Sequence, residues 1–209
     1  MEPPPPPVSP WPLPSGDDVR DEIVAAYDDP SRHYHDTVHL FEVLARVAEL
    51  ADAGVAFERL PVELAAWFHD SVYDGERDAE ERSAAWAEHA LPGLVDDGVV
   101  DEVVRLVRLT ESHRPEEGDA NGCALSDADL GILAAPPARY AAYVSDVRAE
   151  YDHLDDQTFA AGRRVVLTDL VGKPRLFHTS YALERWEDVA RANVAAELGQ
   201  APPAPADEG

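Results

Sequence analysis

Between residues 15 and 199 the apolar side chains recur at three- and four-residue spacing almost without a break, and no stretch alternates apolar and polar residues between hairpin turn signals. Such a chain can bury its hydrophobic surface only by packing helix on helix, so the predicted fold class is all-α: a single domain built as a bundle of about eight helices. A first helix opens at Ser15-Gly16-Asp17-Asp18, carries Val19, Ile23, Val24 and Tyr27 as its stripe, and stops at Asp29-Pro30. A second runs from about Asp36 to Ala53. A third has Pro61 in its first turn and is apolar nearly all round, which implies burial. Further helices are predicted over 77–91, 95–110, 127–134, 136–152, 156–172 and 181–198, with 111–122 a polar loop. Residues 1–14 and 200–209 are proline-rich and are expected to be disordered tails on a 15–199 domain.

Composition narrows the function classes. A chain of 209 residues can bury a core without disulfide staples, and its one cysteine, Cys123, cannot form an intramolecular bridge; a reducing cytoplasm is the expected compartment. With 17 basic and 42 acidic residues the net charge is −25, which argues against a nucleic-acid polymer or an anionic membrane as partner. No window approaches the ~20 apolar residues of a membrane-spanning helix, and the proline-rich, acidic start has no apolar stretch to serve as a signal peptide. Of the cationic residues only Lys173 is a lysine, which reads as compositional bias.

The histidines and certain acids need a further explanation. His33, His35 and His39 lie within seven residues, and His35 and His39 are four apart, a spacing that stacks two imidazoles on one helix face. His69-Asp70 is expected inside the apolar third helix, where an unpaired carboxylate would cost several kcal/mol or give up its charge. Asp127 and Asp129 follow in another apolar segment; Asp127 reads as a helix N-cap, and Asp129 has no such simple role. Together these positions supply two imidazoles and two carboxylates from three helices. That nitrogen and oxygen donor set suits a catalytic divalent metal, not a closed structural zinc site built on thiolates.

In this arrangement the chain resembles the HD-domain superfamily of metal-dependent phosphohydrolases, whose signature is H…HD…D. His39 opens a helix as the family's first ligand does, His69-Asp70 matches the doublet, and Asp129 in Asp127-Ala128-Asp129-Leu130 resembles the last ligand. The resemblance is closer to a small branch with R-x-Y-H-x-x-x-H (Arg32 to His39), H-D-x-V-Y-D (His69 to Asp74), E-E-R-S-A (Glu80 to Ala84), T-x-x-H (Thr110 to His113), D-A-D-L and a late A-R-x-N-x-x-x-E-L (Ala190 to Leu198). It implies an all-helical fold around one or two divalent ions held by His39, His69, Asp70 and Asp129 between central helices, with Asp127 as the alternative last ligand. It also implies hydrolysis of a small-molecule phosphate ester, possible nucleotides included, by metal-activated water.

Within that frame Asp74, and next Glu81, are the candidates to orient or deprotonate the water. Arg32 could hold the phosphate through its planar guanidinium, and His35 and His113 could contact substrate or a second metal. Manganese, iron, cobalt, nickel and zinc suit the donors better than magnesium, and neither the ion nor the oligomeric state follows from the sequence. Competing readings are a non-enzymatic HD-fold binding module, a di-iron oxygenase on the same scaffold, and a zinc peptidase. The peptidase reading rests on His35-Asp36-Thr37-Val38-His39, where aspartate is too short for the usual glutamate's task.

Overall fold

The computed structural model describes residues 11–75 and 77–199, and side-chain caps from Asp36, Asp119, Asp155 and Thr179 open four of its helices. The expected C-terminal tail and residues 1–10 of the N-terminal one lie outside the described residues. Trp11, assigned by composition to that tail, is instead buried: its ring meets Trp67 edge-on with centroids 5.2 Å apart, and its indole N–H donates to the Ser15 carbonyl at 2.9 Å.

Ten α-helices and no strand occur among the described residues, so the fold is all-α. They are α1 (Asp17–Tyr27), α2 (Thr37–Asp52), α3 (Arg59–Phe68), α4 (Ala79–Ala90), α5 (Asp97–Leu109), α6 (Ala120–Leu130), α7 (Pro137–Glu150), α8 (Asp156–Gly172), α9 (Ser180–Arg185) and α10 (Glu187–Glu197), with a 3-10 turn over Gly131–Ala134. The number exceeds the expected eight partly because the predicted 181–198 helix is two: the chain breaks at Trp186, whose ring turns inward onto Phe177 and Tyr181. The polar loop is shorter than predicted. Asp119 accepts the Gly122 N–H at 2.9 Å and starts α6 at Ala120, so Asp127 lies well inside that helix.

Helix α3 is the centre of the bundle and packs against α2, α4, α5 and α6. Every residue from Pro61 to Phe68 is buried, as the all-round apolar pattern requires. Burial of Leu64, Trp67 and Phe68 contributes roughly 1.5–3 kcal/mol each. The one charge on this face, Glu63, is held by Arg59 at 2.7 Å. Helix α10 packs on the 3-10 turn and α9, while α8 lies outermost with Leu167 as its one buried residue. No described helix is long and apolar enough to cross a membrane.

Candidate metal centre

Three segments bring the buried donors together. Ahead of α2, the Asp36 carboxylate accepts the N–H groups of Val38 (2.8 Å) and His39 (3.2 Å), which sets the start of the helix and puts His39 in its first turn, facing inward. Helix α3 ends at Phe68, so His69-Asp70 is not mid-helix as expected but forms the helix end and the turn that follows. The carbonyls of that turn need donors, and Arg32 supplies them: its guanidinium donates to the carbonyls of Asp70 (2.7 Å) and Ser71 (3.0 Å), and also to that of His35 (3.0 Å) ahead of α2. The Tyr27 hydroxyl accepts the Asp70 N–H at 3.1 Å, and the Ser83 hydroxyl accepts the Val72 N–H at 3.0 Å.

This frame delivers a group of His39, His69 and Asp70 that could hold a metal ion. The Nε2 atoms of the two histidines are 3.0 Å apart, and Asp70 Oδ2 lies 3.2 Å from His39 Nε2 and 3.1 Å from His69 Nε2. Three donors with edges of that length match adjacent corners of an octahedron with bonds of about 2.2 Å. The His69 Nδ1–H donates to the Ala66 carbonyl at 2.9 Å, which leaves Nε2 as the ring atom that a metal ion would take. Asp129 stands one step farther out, with Oδ1 3.5 Å from His39 Nε2 and 3.8 Å from His69 Nε2.

Electrostatics favour positive charge here. Burial opposes ionisation of His69, but the Asp70 and Asp129 carboxylates outweigh it and push the ring up to about 9. Burial likewise opposes the Asp70 charge, and the two histidines more than offset it, holding that carboxyl well below its usual range. Two imidazoles face one another across 3.0 Å with carboxylates behind them, a donor set that a divalent cation satisfies better than a shared proton. The residues fit a metal.

The group opens on a cavity of about 680 Å³. Asp70, Asp129, His35 and His113 stand at its polar end, and Tyr34, Tyr73, Tyr143, Tyr151 and Phe159 with aliphatic side chains of the 3-10 turn and α8 form its walls. His113 adopts a left-handed backbone (φ 49) that turns its ring inward, with Nε2 3.6 Å from Asp129 Oδ2 and Nδ1 3.3 Å from the Ser126 hydroxyl. His35 stacks on Tyr73 with centroids 3.9 Å apart, and its Nδ1 is 2.7 Å from Glu150 Oε2.

Four expected roles change. Asp127 does not cap its own helix and does not face the metal group. Its Oδ1 accepts the His178 N–H (2.8 Å) and its Oδ2 the Thr179 N–H (2.7 Å), so both oxygens are engaged at the entry to α9. Burial pushes its carboxyl up to about 6. Asp74 lies in a two-point ion pair with Arg82 (2.6 and 2.7 Å), and Glu81 in one with Arg108 (2.6 and 2.7 Å); neither lines the cavity. Arg32 is committed to backbone carbonyls, and Tyr27 and Tyr73 cover its guanidinium, which leaves it a clamp on the His69-Asp70 turn and not a free phosphate binder. Glu150, Tyr143 and Lys173 were missed. Nothing local marks Glu150, which is more than a hundred residues from the loop it holds; Lys173 carried a signal in being the one lysine.

Comparison with protein-family models, with curated proteins and with solved structures finds no match to this chain.

Proposed function

We propose that the chain is a metal-dependent phosphohydrolase of the HD type, with a divalent ion held by His39, His69 and Asp70, Asp129 as the fourth ligand, and a phosphate ester bound in the adjoining cavity. The observation that carries this reading is the three-donor group with edges of 3.0, 3.1 and 3.2 Å beside a cavity of about 680 Å³. The order H…HD…D along the sequence supports it. A bound divalent ion supplies a Lewis acid for the phosphoryl group and activates water for attack at neutral pH. The chain's own residues do the rest. The Ala66 carbonyl fixes the His69 tautomer, and the Arg32 clamp fixes the turn that carries Asp70. His113 replaces Asp74 and Glu81 as the group to take a proton from water, since its ring lines the cavity beside Asp129.

Purified protein equilibrated with manganese, iron or zinc is expected to retain the ion and, with manganese, to hydrolyse members of a panel of phosphomonoesters and nucleotides. Asp70→Ala is expected to abolish both. Wild-type protein that retains no metal and cleaves no ester would sink the reading and leave a binding module. One observation favours a second reading: two histidines and one carboxylate are also the ligand set of non-haem iron oxygenases. Iron retained at this group with oxygen-dependent turnover would establish that chemistry in place of hydrolysis.

A further inference from the structure

The chain's one lysine stands in this cavity. Lys173 follows the last residue of α8 and is half-buried on the same lining as Asp129 and His113. Among the described residues no carboxylate lies within 4.0 Å of its ammonium, and no hydrogen bond engages it. That is unusual in a chain with 42 acidic residues. Its nearest candidate, Asp169, is drawn to Arg114 at 3.6 Å. The other cation on the lining, Arg163, is engaged by Glu197 at 2.8 Å and by the Tyr143 hydroxyl at 2.8 Å. Lys173 is therefore the lining cation whose donors are open among the described residues, with the Asp169 carboxylate acting on it only from beyond contact distance. Its field reaches the loops around it: burial, and then the Lys173 charge, hold His178 below its ordinary range.

Part of the remaining lining is apolar: Tyr143, Tyr151, Phe159, Val166 and Leu170 contribute rings and branched aliphatic groups from α7, its C-cap and α8, while Glu80, Glu111 and Asp169 also line the cavity. A cavity with one open cation, a candidate metal group at its polar end and an apolar wall selects an anion that carries an apolar body. Lysine is a point-charge phosphate binder, with three donors that adapt to tetrahedral oxygens. A net charge of −25 repels any such ligand from a distance, so the local reversal of field has to come from within the cavity.

We propose that Lys173 anchors the phosphoryl group of a phosphomonoester whose aromatic or aliphatic body lies against the α7–α8 wall. The ligand class rests on the phosphohydrolase reading; the anchor itself does not. A single lysine makes the test direct, because full-length protein labelled with 13Cε-lysine shows one side-chain resonance. Inorganic phosphate and phenyl phosphate are titrated into the protein as purified and after loading with zinc, with calorimetry on Lys173→Met and Lys173→Arg. The expected result is a saturable shift of the lysine resonance, with phenyl phosphate binding several-fold tighter than inorganic phosphate. Lys173→Met is expected to weaken phenyl phosphate binding about tenfold with zinc uptake unchanged, and Lys173→Arg to restore most of the loss. A resonance that stays still at saturating ligand, or a Lys173→Met protein that binds as the wild type does, would overturn the anchor. Equal affinities for the two ligands would overturn the apolar wall. If the wild type takes up no metal while the lysine resonance still shifts, the phosphohydrolase reading fails and the anchor stands.

Discussion

The Nε2 atoms of His39 and His69 lie 3.0 Å apart in the core of the bundle, one from the first turn of α2 and one from the end of α3. Two segments are thus joined through a point where two imidazole nitrogens meet, and a cation bound there would tie them together. A ligand present at a hundred times its Kd stabilises the folded state by about 2.7 kcal/mol, which for a domain of this size raises Tm by on the order of 5–10 °C. Manganese or zinc is expected to produce such a rise in wild-type protein and a chelator to reverse it. His39→Ala is expected to lose the response. A Tm indifferent to divalent ions in the wild type would count against a metal at this group.

Asp127 and Asp129, two residues apart on α6, should fail in opposite ways. Removing the Asp127 carboxylate strands the buried N–H groups of His178 and Thr179, so Asp127→Ala is expected to cost about 2–4 kcal/mol in urea unfolding and leave metal affinity intact. Asp129→Ala removes a side chain with no hydrogen-bonded tether of that kind and is expected to lower metal affinity and hydrolysis at least tenfold with a smaller loss of stability. The reverse pattern would make Asp127 the ligand.

Asp127 also shows what could be read in advance. The sequence suggests an aspartate that engages backbone N–H groups at its own helix start; Asp127 does accept two N–H groups, but they are those of His178 and Thr179 ahead of α9, whose cap is Thr179 itself, and they come from a segment about fifty residues later. Helix positions were largely legible because 3.6-residue periodicity is local, and α8 falls over the predicted 156–172. The His/His/Asp group was legible because burying imidazoles and a carboxylate among Leu64, Trp67 and Phe68 demands a reason. Partners of long, surface-reaching side chains were not legible. Asp74, Glu81 and Arg32 each had a plausible role near the site, and each is taken by a neighbour from a different segment: Arg82, Arg108 and the carbonyls after α3.

Arg32 separates clamp from phosphate binder. Its three bonds to carbonyls need a planar fork, which lysine lacks. Arg32→Lys is therefore expected to behave nearly as poorly as Arg32→Met, each losing about 2 kcal/mol of stability and lowering kcat, since the turn carrying Asp70 loosens, with KM for a phosphomonoester changed little. A rise in KM at constant kcat, rescued by lysine, would show instead that Arg32 holds the substrate.

The loop before α2 gives the pH prediction. Glu150 Oε1 accepts the N–H groups of His33 (3.1 Å), Tyr34 (2.9 Å) and His35 (2.8 Å), while Oε2 pairs with His35 Nδ1 at 2.7 Å. Burial opposes the Glu150 charge, but the His35 ring and these N–H groups overcome it and hold the carboxyl at about 2 against an ordinary 4.5. A depressed carboxyl contributes stability above its unfolded value and loses it as pH falls from about 4.5 toward 2. His35 moves the other way: burial disfavours its charge, Glu150 and Asp70 outweigh that, and its raised value makes the contribution complete below 6.5 and lost as pH climbs through the folded value. The pair thus contributes most between about 4.5 and 6.5, on the order of 2 kcal/mol. Glu150→Gln keeps the shape and removes the charge, so its deficit in unfolding free energy should peak in that window and shrink on both sides. A deficit independent of pH would mean that the side chain holds the loop by its neutral hydrogen bonds alone.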